Sequence, residues 1–210
     1  MYNASFKKML SNLFTVAKVS SKGLKMRSVG FFLFCCFFLF PLFSGTTGPQ
    51  EPELPTIEWM SFEEMMLKSE TVKKKVLIDV YTDWCGWCRR MDEETFSNPE
   101  IIEYINNHFY AVKFNGEYEQ IVELYGHEYD YVPSVRGKRG YNELAMFLTN
   151  GKLSYPTFAF WDHNHANLES FEGYKNIVDM DIILHFIKEG HYQRSTFEDF
   201  QKTFQSNISY

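Results

Sequence analysis

The chain has 210 residues, enough for one domain with a sizeable core, and 45% of them are hydrophobic. Its formal net charge of -6 is unevenly spread. The first 50 residues contain six Lys or Arg and no Asp or Glu, which leaves 15 basic and 27 acidic residues, a net charge of -12, in residues 51–210. Such an acidic body excludes nucleic acid from the expected partners, because phosphate backbones are bound by clustered Lys and Arg.

The first 47 residues have the composition of a signal peptide or an N-terminal membrane segment. Residues 29–43 (VGFFLFCCFFLFPLF) are nearly all apolar, basic residues precede them, and small or polar residues follow. This order is typical of a secretory signal. Because the run is shorter than the roughly 20 apolar residues that span a bilayer, we expect a cleaved signal and an exported, periplasmic protein. The alternative is a membrane anchor retained at residues 29–43, and only that alternative makes the membrane a partner.

Removal of this segment changes the cysteine count. Cys35 and Cys36 lie inside it, so Cys85 and Cys88 would be the only cysteines of the exported chain. The loop between them has two residues, and closing so small a loop stabilises a fold very little. We therefore expect the pair to have a chemical role rather than a structural one.

The next stretch leads into the folded domain. Residues 48–57 are polar and Pro-rich, which predicts a linker before a domain at 58–190. Ser61 and Glu64 have the spacing of a capping box. In that motif each side chain binds the backbone N–H of the other residue, so a helix is predicted over 62–70.

A strand and two cysteines follow. Val76–Tyr81 is an apolar run broken only by Asp79, and such a run is typical of a central strand covered on both faces. Cys85 and Cys88 come next, and a helix is predicted from them to about Phe96. This order places the first sulfur at a helix N-terminus, where free backbone N–H groups stabilise a thiolate.

The remainder of the chain is predicted to alternate between helices and strands. The predicted elements are a helix from Pro99 after an Asn98 cap, a strand at 110–114, a β-hairpin of 121–125 and 128–132, a helix at 142–148, strands at 158–161 and 168–172, and helices from about Asp179 and within 195–206. Residues 116–140, which end in a basic loop, form an inserted segment, and residues 191–210 are a C-terminal extension. The order favours an α/β sandwich in which helices flank a mixed β-sheet.

Two motifs carry a family resemblance. The WCGWC stretch at 84–88 and the Tyr-Pro-Thr at 155–157 before a later strand resemble the thioredoxin-like superfamily, and most closely exported bacterial members with a WCGWC active site. The resemblance covers about residues 58–190 and implies a thioredoxin-like sandwich. The chain departs from compact thioredoxins in having Gly-Trp rather than Gly-Pro between the cysteines, the inserted segment, and a longer C-terminal tail.

The resemblance implies four catalytic residues. Cys85 corresponds to the exposed nucleophile and Cys88 to the resolving thiol. Asp79 matches the buried acid that exchanges a proton with the second cysteine, and Lys113 matches the lysine near that acid. We expect no cofactor and no metal.

It also implies a substrate-binding surface. The residues expected there are Trp84, Trp87, Tyr155, Pro156, Thr157 and Gly173. Pro156 matches a proline that follows a cis peptide bond and faces the disulfide. We favour Trp84 as a support beneath the site and Trp87 as an exposed contact for peptides, although both could serve packing alone.

From the residues alone, a zinc site or an inert cysteine pair remains open beside a redox centre. Zinc normally takes four ligands, and the sequence has no second Cys-x-x-Cys or Cys/His cluster. The prediction is a thiol–disulfide oxidoreductase that exchanges disulfides with protein substrates and with an unidentified electron donor or acceptor, reduction being the favoured direction. The rival prediction is a non-catalytic thioredoxin-fold module that binds peptides or partners through residues 116–140.

Overall fold

The computed structural model describes residues 55–208. The predicted signal or anchor at 1–47 and most of the predicted linker lie outside the described residues. No helix within residues 55–208 combines the length and the apolar character needed to cross a bilayer.

Helices and strands alternate along the described chain. In chain order the elements are β1 Trp59–Met60, α1 Phe62–Thr71, β2 Lys75–Tyr81, α2 Gly86–Arg90, a π-helical turn Met91–Thr95, α3 Pro99–His108, β3 Phe109–Asn115, β4 Val122–Leu124, β5 His127–Tyr129, β6 Tyr131–Val132, β7 Tyr141–Asn142, α4 Glu143–Leu148, β8 Thr157–Trp161, β9 Asn167–Glu172, α5 Ile177–Lys188, a 3-10 turn His191–Gln193 and α6 Phe197–Thr203.

Five of the strands form one mixed sheet in the order β1-β3-β2-β8-β9. β3 runs parallel to both β1 and β2, whereas β8 runs antiparallel to β2 and β9 antiparallel to β8. Helices cover both faces of the sheet. This architecture confirms the predicted fold class.

The central strand β2 is apolar along its length because both of its faces are covered. Leu77 packs on one face in a cluster that includes Ile183 of α5. Val76 and Ile78 face the opposite way, into a cluster with Met65 of α1. The alternation of side chains along a strand therefore decides which layer each residue of β2 contacts.

Two helix starts follow the local signals in the sequence. Ser61 accepts the backbone N–H of Glu64, and the Glu64 carboxylate accepts the N–H of Ser61, which confirms the capping box. The Asn98 side chain caps α3, with Pro99 as its first residue. Proline is tolerated there because the first helical N–H has no partner within the helix.

Three details differ from the predictions. The helix expected to continue to Phe96 changes its winding, because Met91–Thr95 forms a π-helical turn. α5 begins two residues before the predicted Asp179, because Asn176 is its cap. Trp59–Met60 pairs with β3 as an edge strand, which two residues without alternation could not indicate.

The inserted segment, residues 116–140, contributes to two small antiparallel pairs. The hairpin of β4 and β5 turns at Tyr125 and Gly126, both with positive φ. A hairpin is therefore present as predicted, but its second strand ends at Tyr129 rather than at Val132. The prediction was wrong about the partner of Tyr131 and Val132, which pair with β7 instead of with 121–125. Strands of two residues carry no readable pattern that would have indicated β7. A side chain at Gly140 would clash with the ring of Tyr131, so glycine allows the two strands to approach.

The C-terminal residues pack on the domain. The short amphipathic helix predicted within 195–206 is α6, and its Phe200 is buried. The ring of Phe200 lies 5.4 Å from that of Phe186 on α5. This extension therefore adds to the core on the α5 side of the sheet.

Candidate active site

The two cysteines lie where β2 gives way to α2. Cys85 is the N-cap of α2, and its Sγ is bonded to the Sγ of Cys88. The backbone N–H of Cys88 donates to the Cys85 Sγ at 3.0 Å. After reduction the same N–H can stabilise a Cys85 thiolate, because helix N-terminal N–H groups favour a negative charge.

Exposure differs from expectation at two positions. Cys85 is only 4% exposed, close to the 5% of Cys88, because its sulfur is covered by the disulfide and by the start of α2. Exposure therefore does not single out Cys85 as the nucleophile. Trp84 is 46% exposed and Trp87 is 55% exposed, so both indoles face solvent and Trp84 is not a buried support.

A buried carboxyl group lies on the strand that leads to the cysteines. Asp79 is 2% exposed, and its Oδ1 has no hydrogen-bond partner among the described residues. Lys113 lies opposite it in the pairing of β2 with β3, with its Nζ 3.8 Å from the Asp79 Oδ2. Burial raises the pKa of Asp79 to about 7, although the positive charge of Lys113 opposes this rise. The carboxyl group can therefore accept or release a proton near neutral pH.

Asp92 is a third member of this charge group, and the sequence analysis missed it. Lys113 Nζ lies 2.6 Å from the Asp92 Oδ1, closer than it lies to Asp79. The same ammonium lies over the rings of Trp59 and Tyr81, at 5.2 and 5.3 Å. The only sequence signal for Asp92 was its position four residues after Cys88, one helical turn further on.

Two aromatic clusters contain the tryptophans of the WCGWC stretch. The first is the Trp84 cluster, which consists of Trp84, Glu117, Arg139 and Tyr155. The indole N–H of Trp84 donates to Glu117 at 2.9 Å, and the Arg139 guanidinium lies 4.8 Å from the indole centre. Arg139 is also 3.7 Å from Glu117, and the ring of Tyr155 meets the indole edge-on at 6.0 Å. Two of the four members come from the inserted segment.

The second is the Trp87 cluster, which consists of Trp87, Arg90, Glu94 and Tyr174. The Arg90 guanidinium lies 5.4 Å from the centres of both the Trp87 and the Tyr174 ring. Arg90 also pairs with Glu94 at 2.9 Å, and the Tyr174 hydroxyl donates to Glu94 at 2.6 Å. These two hydrogen bonds lower the pKa of Glu94, so the carboxylate stays charged.

The Tyr155–Pro156 peptide bond is cis, which confirms the expectation from the resemblance. The Pro156 carbonyl accepts the backbone N–H of Gly173 at 2.7 Å, so the two predicted groove segments are fastened together. Thr157 differs from expectation. Its side chain is fully buried and donates to the carbonyl of Ser154, so it is not available to a substrate.

Tyr155 is held against the inserted segment. A Cβ at Gly116 would lie 2.5 Å from the Tyr155 hydroxyl, so only glycine allows this close approach. Burial raises the pKa of Tyr155 to about 12, with the Glu117 charge adding to the rise, and the phenol stays neutral. Tyr155 therefore connects the loop that contains the cis proline to the Trp84 cluster.

Apart from the cysteines, the structure divides the predicted site residues among several places. Asp79 and Lys113 form the buried charge pair, and the two tryptophans and Tyr155 belong to the aromatic clusters. Pro156, Thr157 and Gly173 belong to neither cluster. Within the described residues, no group of three or more His, Cys, Asp or Glu side chains could hold a metal ion. The arrangement offers two sulfurs that can interchange between disulfide and dithiol. It also offers an acid–base group, Asp79, with a pKa of about 7 on the adjoining strand.

Comparison with known proteins adds sequence relatives. Residues 50–204 match the family described as Thioredox_DsbH, a protein of unknown function (DUF255). The thiol:disulfide interchange protein DsbD of Haemophilus ducreyi is 34% identical over 59 residues, which are 28% of this chain and 10% of that protein. The chain thus spans about a tenth of the length of the curated relatives it matches.

Two solved structures are also similar. A thioredoxin-fold protein from Helicobacter pylori is 24% identical, covers 62% of this chain and 79% of its own, and superimposes with a TM-score of 0.46. A structure described as DsbH oxidoreductase is 18% identical, covers 61% of this chain and 84% of its own, and superimposes with a TM-score of 0.40.

Proposed function

Because the chain belongs to the Thioredox_DsbH family, we propose that it is a thiol–disulfide oxidoreductase that exchanges disulfides with protein substrates through Cys85 and Cys88. The observation that carries this proposal is the Cys85–Cys88 disulfide at the N-terminus of α2. The name of the curated relatives, thiol:disulfide interchange protein, supports the same chemistry. The buried Asp79 on the adjoining strand supplies the acid–base group that such an exchange uses.

In the reducing direction the exchange has two steps. The Cys85 thiolate attacks a substrate disulfide, forms a mixed disulfide with one substrate sulfur and releases the other as a thiolate. Cys88 then loses its proton to the Asp79 carboxylate and attacks the Cys85 sulfur. The second substrate sulfur leaves, the Cys85–Cys88 disulfide closes, and two electrons have passed to the substrate. An electron donor must then reduce the pair again.

We propose reduction of substrate disulfides as the physiological direction. A dithiol pair becomes more oxidising as its thiolate form is stabilised. Of the two cations that follow Cys88, Arg90 is paired with the Glu94 carboxylate, which offsets its positive charge. With one of these two cations offset, the thiolate gains less stabilisation, which favours a reduction potential nearer to that of thioredoxin, about -270 mV, than to that of DsbA, about -120 mV.

We also propose that the protein acts in the cell envelope. The support is the apolar run at residues 29–43, with basic residues before it and small or polar residues after it. Fractionation of cells that carry the full chain with a C-terminal epitope tag tests this location. The tag in the cytosolic fraction would contradict it.

Reduction of insulin by dithiothreitol, followed as turbidity, tests the activity. The full chain should accelerate the reaction, and Cys85→Ser should return it to the uncatalysed rate. Cys36→Ser is the matched control, because it replaces a cysteine of the N-terminal apolar run and should keep the wild-type rate. Equal rates for wild type and Cys85→Ser would sink the enzymatic proposal.

The contacts of Glu117 and Arg139 with Trp84 favour a second candidate, a non-catalytic module that binds partners through the inserted segment. Its signature is partner binding that survives Cys85→Ala/Cys88→Ala and is lost when residues 116–140 are deleted. The redox proposal expects the opposite for the cysteines, because a covalent mixed disulfide cannot form without Cys85.

A further inference from the structure

A compact cationic loop lies at the end of the inserted segment. Residues 133–140 (PSVRGKRG) contain three cations, Arg136, Lys138 and Arg139, and no acidic residue, on a body that has a net charge of -12 over residues 51–210. All three cations are exposed. Val135 beside them is 59% exposed, so the loop presents an apolar contact as well as charge.

The loop has a defined backbone. β6 and β7 pair at its base, and Val135 forms an antiparallel bridge with Lys138 near its tip. The Ser134 hydroxyl donates to the Lys138 carbonyl at 2.6 Å, and Gly137 has the positive φ that such a tight turn requires. The cations are therefore held on a turn of fixed shape.

One end of this loop contacts the redox site. Arg139 packs on Trp84, the residue before Cys85. Arg136 is three residues from Arg139, so its Cα lies within about 10 Å of the Arg139 Cα. Arg136 and Lys138 make no ion pair with any other residue in the described part of the chain. Two positive charges without an ion-pair partner among the described residues thus lie on the same turn as the residue that packs on Trp84.

We propose that the loop at residues 133–140 selects protein substrates whose target cysteine is flanked by an acidic segment. This inference rests on the proposed disulfide exchange and names the substrate class for the same site. The acidic segment would bind Arg136 and Lys138 while the substrate sulfur approaches Cys85. Because the rest of the domain is acidic, an anionic bilayer would be repelled over most of its surface, so the loop fits a local acidic peptide better than a membrane.

The expected size follows from exposed charge pairs. Each such pair contributes about 0.2–1 kcal/mol, and complementary charges also speed association. Two cations should therefore favour an acidic over a neutral flank by about fivefold in kcat/KM at low ionic strength. The preference should shrink toward onefold at high salt, because salt screens interactions between exposed charges.

The test uses three disulfide peptides with a fluorophore and a quencher, alike except for three Asp, three Asn or three Lys beside the cysteine. The full chain, kept reduced by dithiothreitol, is assayed for kcat/KM on each peptide at low and high salt. Wild type should favour Asp over Asn over Lys. Arg136→Gln/Lys138→Gln should abolish the order, and Arg136→Glu/Lys138→Glu should reverse it. Both variants leave the Trp84 cluster intact.

The matched control is Lys68→Glu/Lys73→Glu, which changes the net charge by the same amount as Arg136→Glu/Lys138→Glu. Both lysines are exposed, and Lys73 precedes β2 whereas Cys85 follows it. The seven residues of β2 span about 20 Å, so these charges lie far from the disulfide. The control should keep the wild-type order of peptides.

The outcomes separate the two proposals. Wild type that cleaves none of the peptides contradicts the proposed function. Wild type that cleaves all three equally, or a control that loses the preference as the loop variants do, overturns the loop assignment while the redox function stands. Binding to anionic vesicles together with equal cleavage of the peptides would assign the loop to a membrane surface and likewise overturn it.

Discussion

The Trp84 cluster and the Trp87 cluster have the same composition but different origins. Each contains one Trp, one Tyr, one Arg and one Glu, with the guanidinium against the indole and paired with the carboxylate. The Trp87 cluster takes three members from the consecutive α2 and π-helical turn and the fourth from the segment after β9. The Trp84 cluster takes its Arg and its Glu from the inserted segment.

This difference separates the residues that carry out the disulfide exchange from those that could select the substrate. Three members of the Trp87 cluster lie on the helical segment that carries the cysteines, so this cluster cannot be replaced as a whole without changing that segment. Substitutions in the inserted segment can change the Trp84 cluster without altering the cysteines, Asp79 or Lys113. The buried acid–base group belongs to neither cluster and should act on every substrate alike.

The largest expected effect comes from Asp79, which should act on every substrate whichever cluster that substrate contacts. Asp79→Asn removes the proposed proton acceptor for Cys88 and should slow turnover at pH 7 about 100-fold on every disulfide substrate, since general bases contribute about 10²–10⁴-fold. In wild type the rate of disulfide closure should rise with pH through about 7, where Asp79 ionises. Stopped-flow indole fluorescence across this pH range measures both. A variant with an unchanged pH profile would contradict the role of Asp79.

Stability against pH checks that the same carboxyl group titrates. Burial raises the pKa of Asp79 from 3.8 to about 7, so the folded state holds the proton more tightly than the unfolded state. The stability from this group is complete below about pH 4 and is lost as pH rises through 7, a change of roughly 4 kcal/mol. Urea unfolding at pH 5 and pH 8 should show more than half of this loss in wild type and a smaller loss in Asp79→Asn.

The next effect concerns the Trp87 cluster, most of which lies on the helical segment that carries the cysteines. Trp87→Ala should lower kcat/KM on a protein disulfide about tenfold, because an exposed aromatic contact of this kind contributes about 1–2 kcal/mol to binding. The loss on a small disulfide such as oxidised glutathione should be lesser, since that molecule covers less of the surface. Equal losses on both substrates would show that Trp87 supports α2 rather than binds the substrate.

A smaller effect is expected at the Trp84 cluster, which includes Arg139 of the inserted segment. Arg139→Ala removes the cation over Trp84, worth about 0.5–1 kcal/mol, and should raise the KM for a protein disulfide about threefold. Arg139→Lys should restore part of the loss, because an ammonium also binds an indole face. If kcat falls while KM is constant, the inserted segment affects the exchange reaction itself, which would contradict the assignment of the Trp84 cluster to substrate binding.

The smallest effect comes from Asp92. Asp92→Asn frees Lys113 to approach Asp79 and removes a negative charge, and both changes lower the pKa of Asp79. The pH midpoint for disulfide closure should move to lower pH. Because Asp79 is about half ionised at pH 7, the rate there should rise by no more than about twofold. A midpoint that moves upward would contradict the assigned geometry.

Local signals allowed much of the fold to be predicted. The Ser61 capping box, the Asn98 cap and the continuous apolar run of β2 each depend on neighbouring residues, and all three were confirmed. The π-helical turn at Met91–Thr95 could not be foreseen, because its residues fit an ordinary helix equally well. The pairing of β6 with β7 joins strands of two residues across the basic loop, which no periodicity marks.

The site was predictable where a motif carries the information. The WCGWC stretch and the cis proline motif placed the disulfide and the Tyr155–Pro156 bond, and the β2–β3 register brought Lys113 to Asp79 as expected. The contacts of Asp92 with Lys113 and of Arg139 with Trp84 depend on side-chain orientation in the folded domain. Sequence spacing alone does not determine that orientation.

The central claim, covalent exchange through Cys85 and Cys88, is tested most directly by trapping substrates in the cells that make this protein. The Cys88→Ser variant of the full chain cannot resolve a mixed disulfide, so it should accumulate covalent partners that dithiothreitol releases and mass spectrometry identifies. Cys85→Ser/Cys88→Ser should trap none. Folded Cys88→Ser that yields no more covalent partners than the double variant would contradict the account.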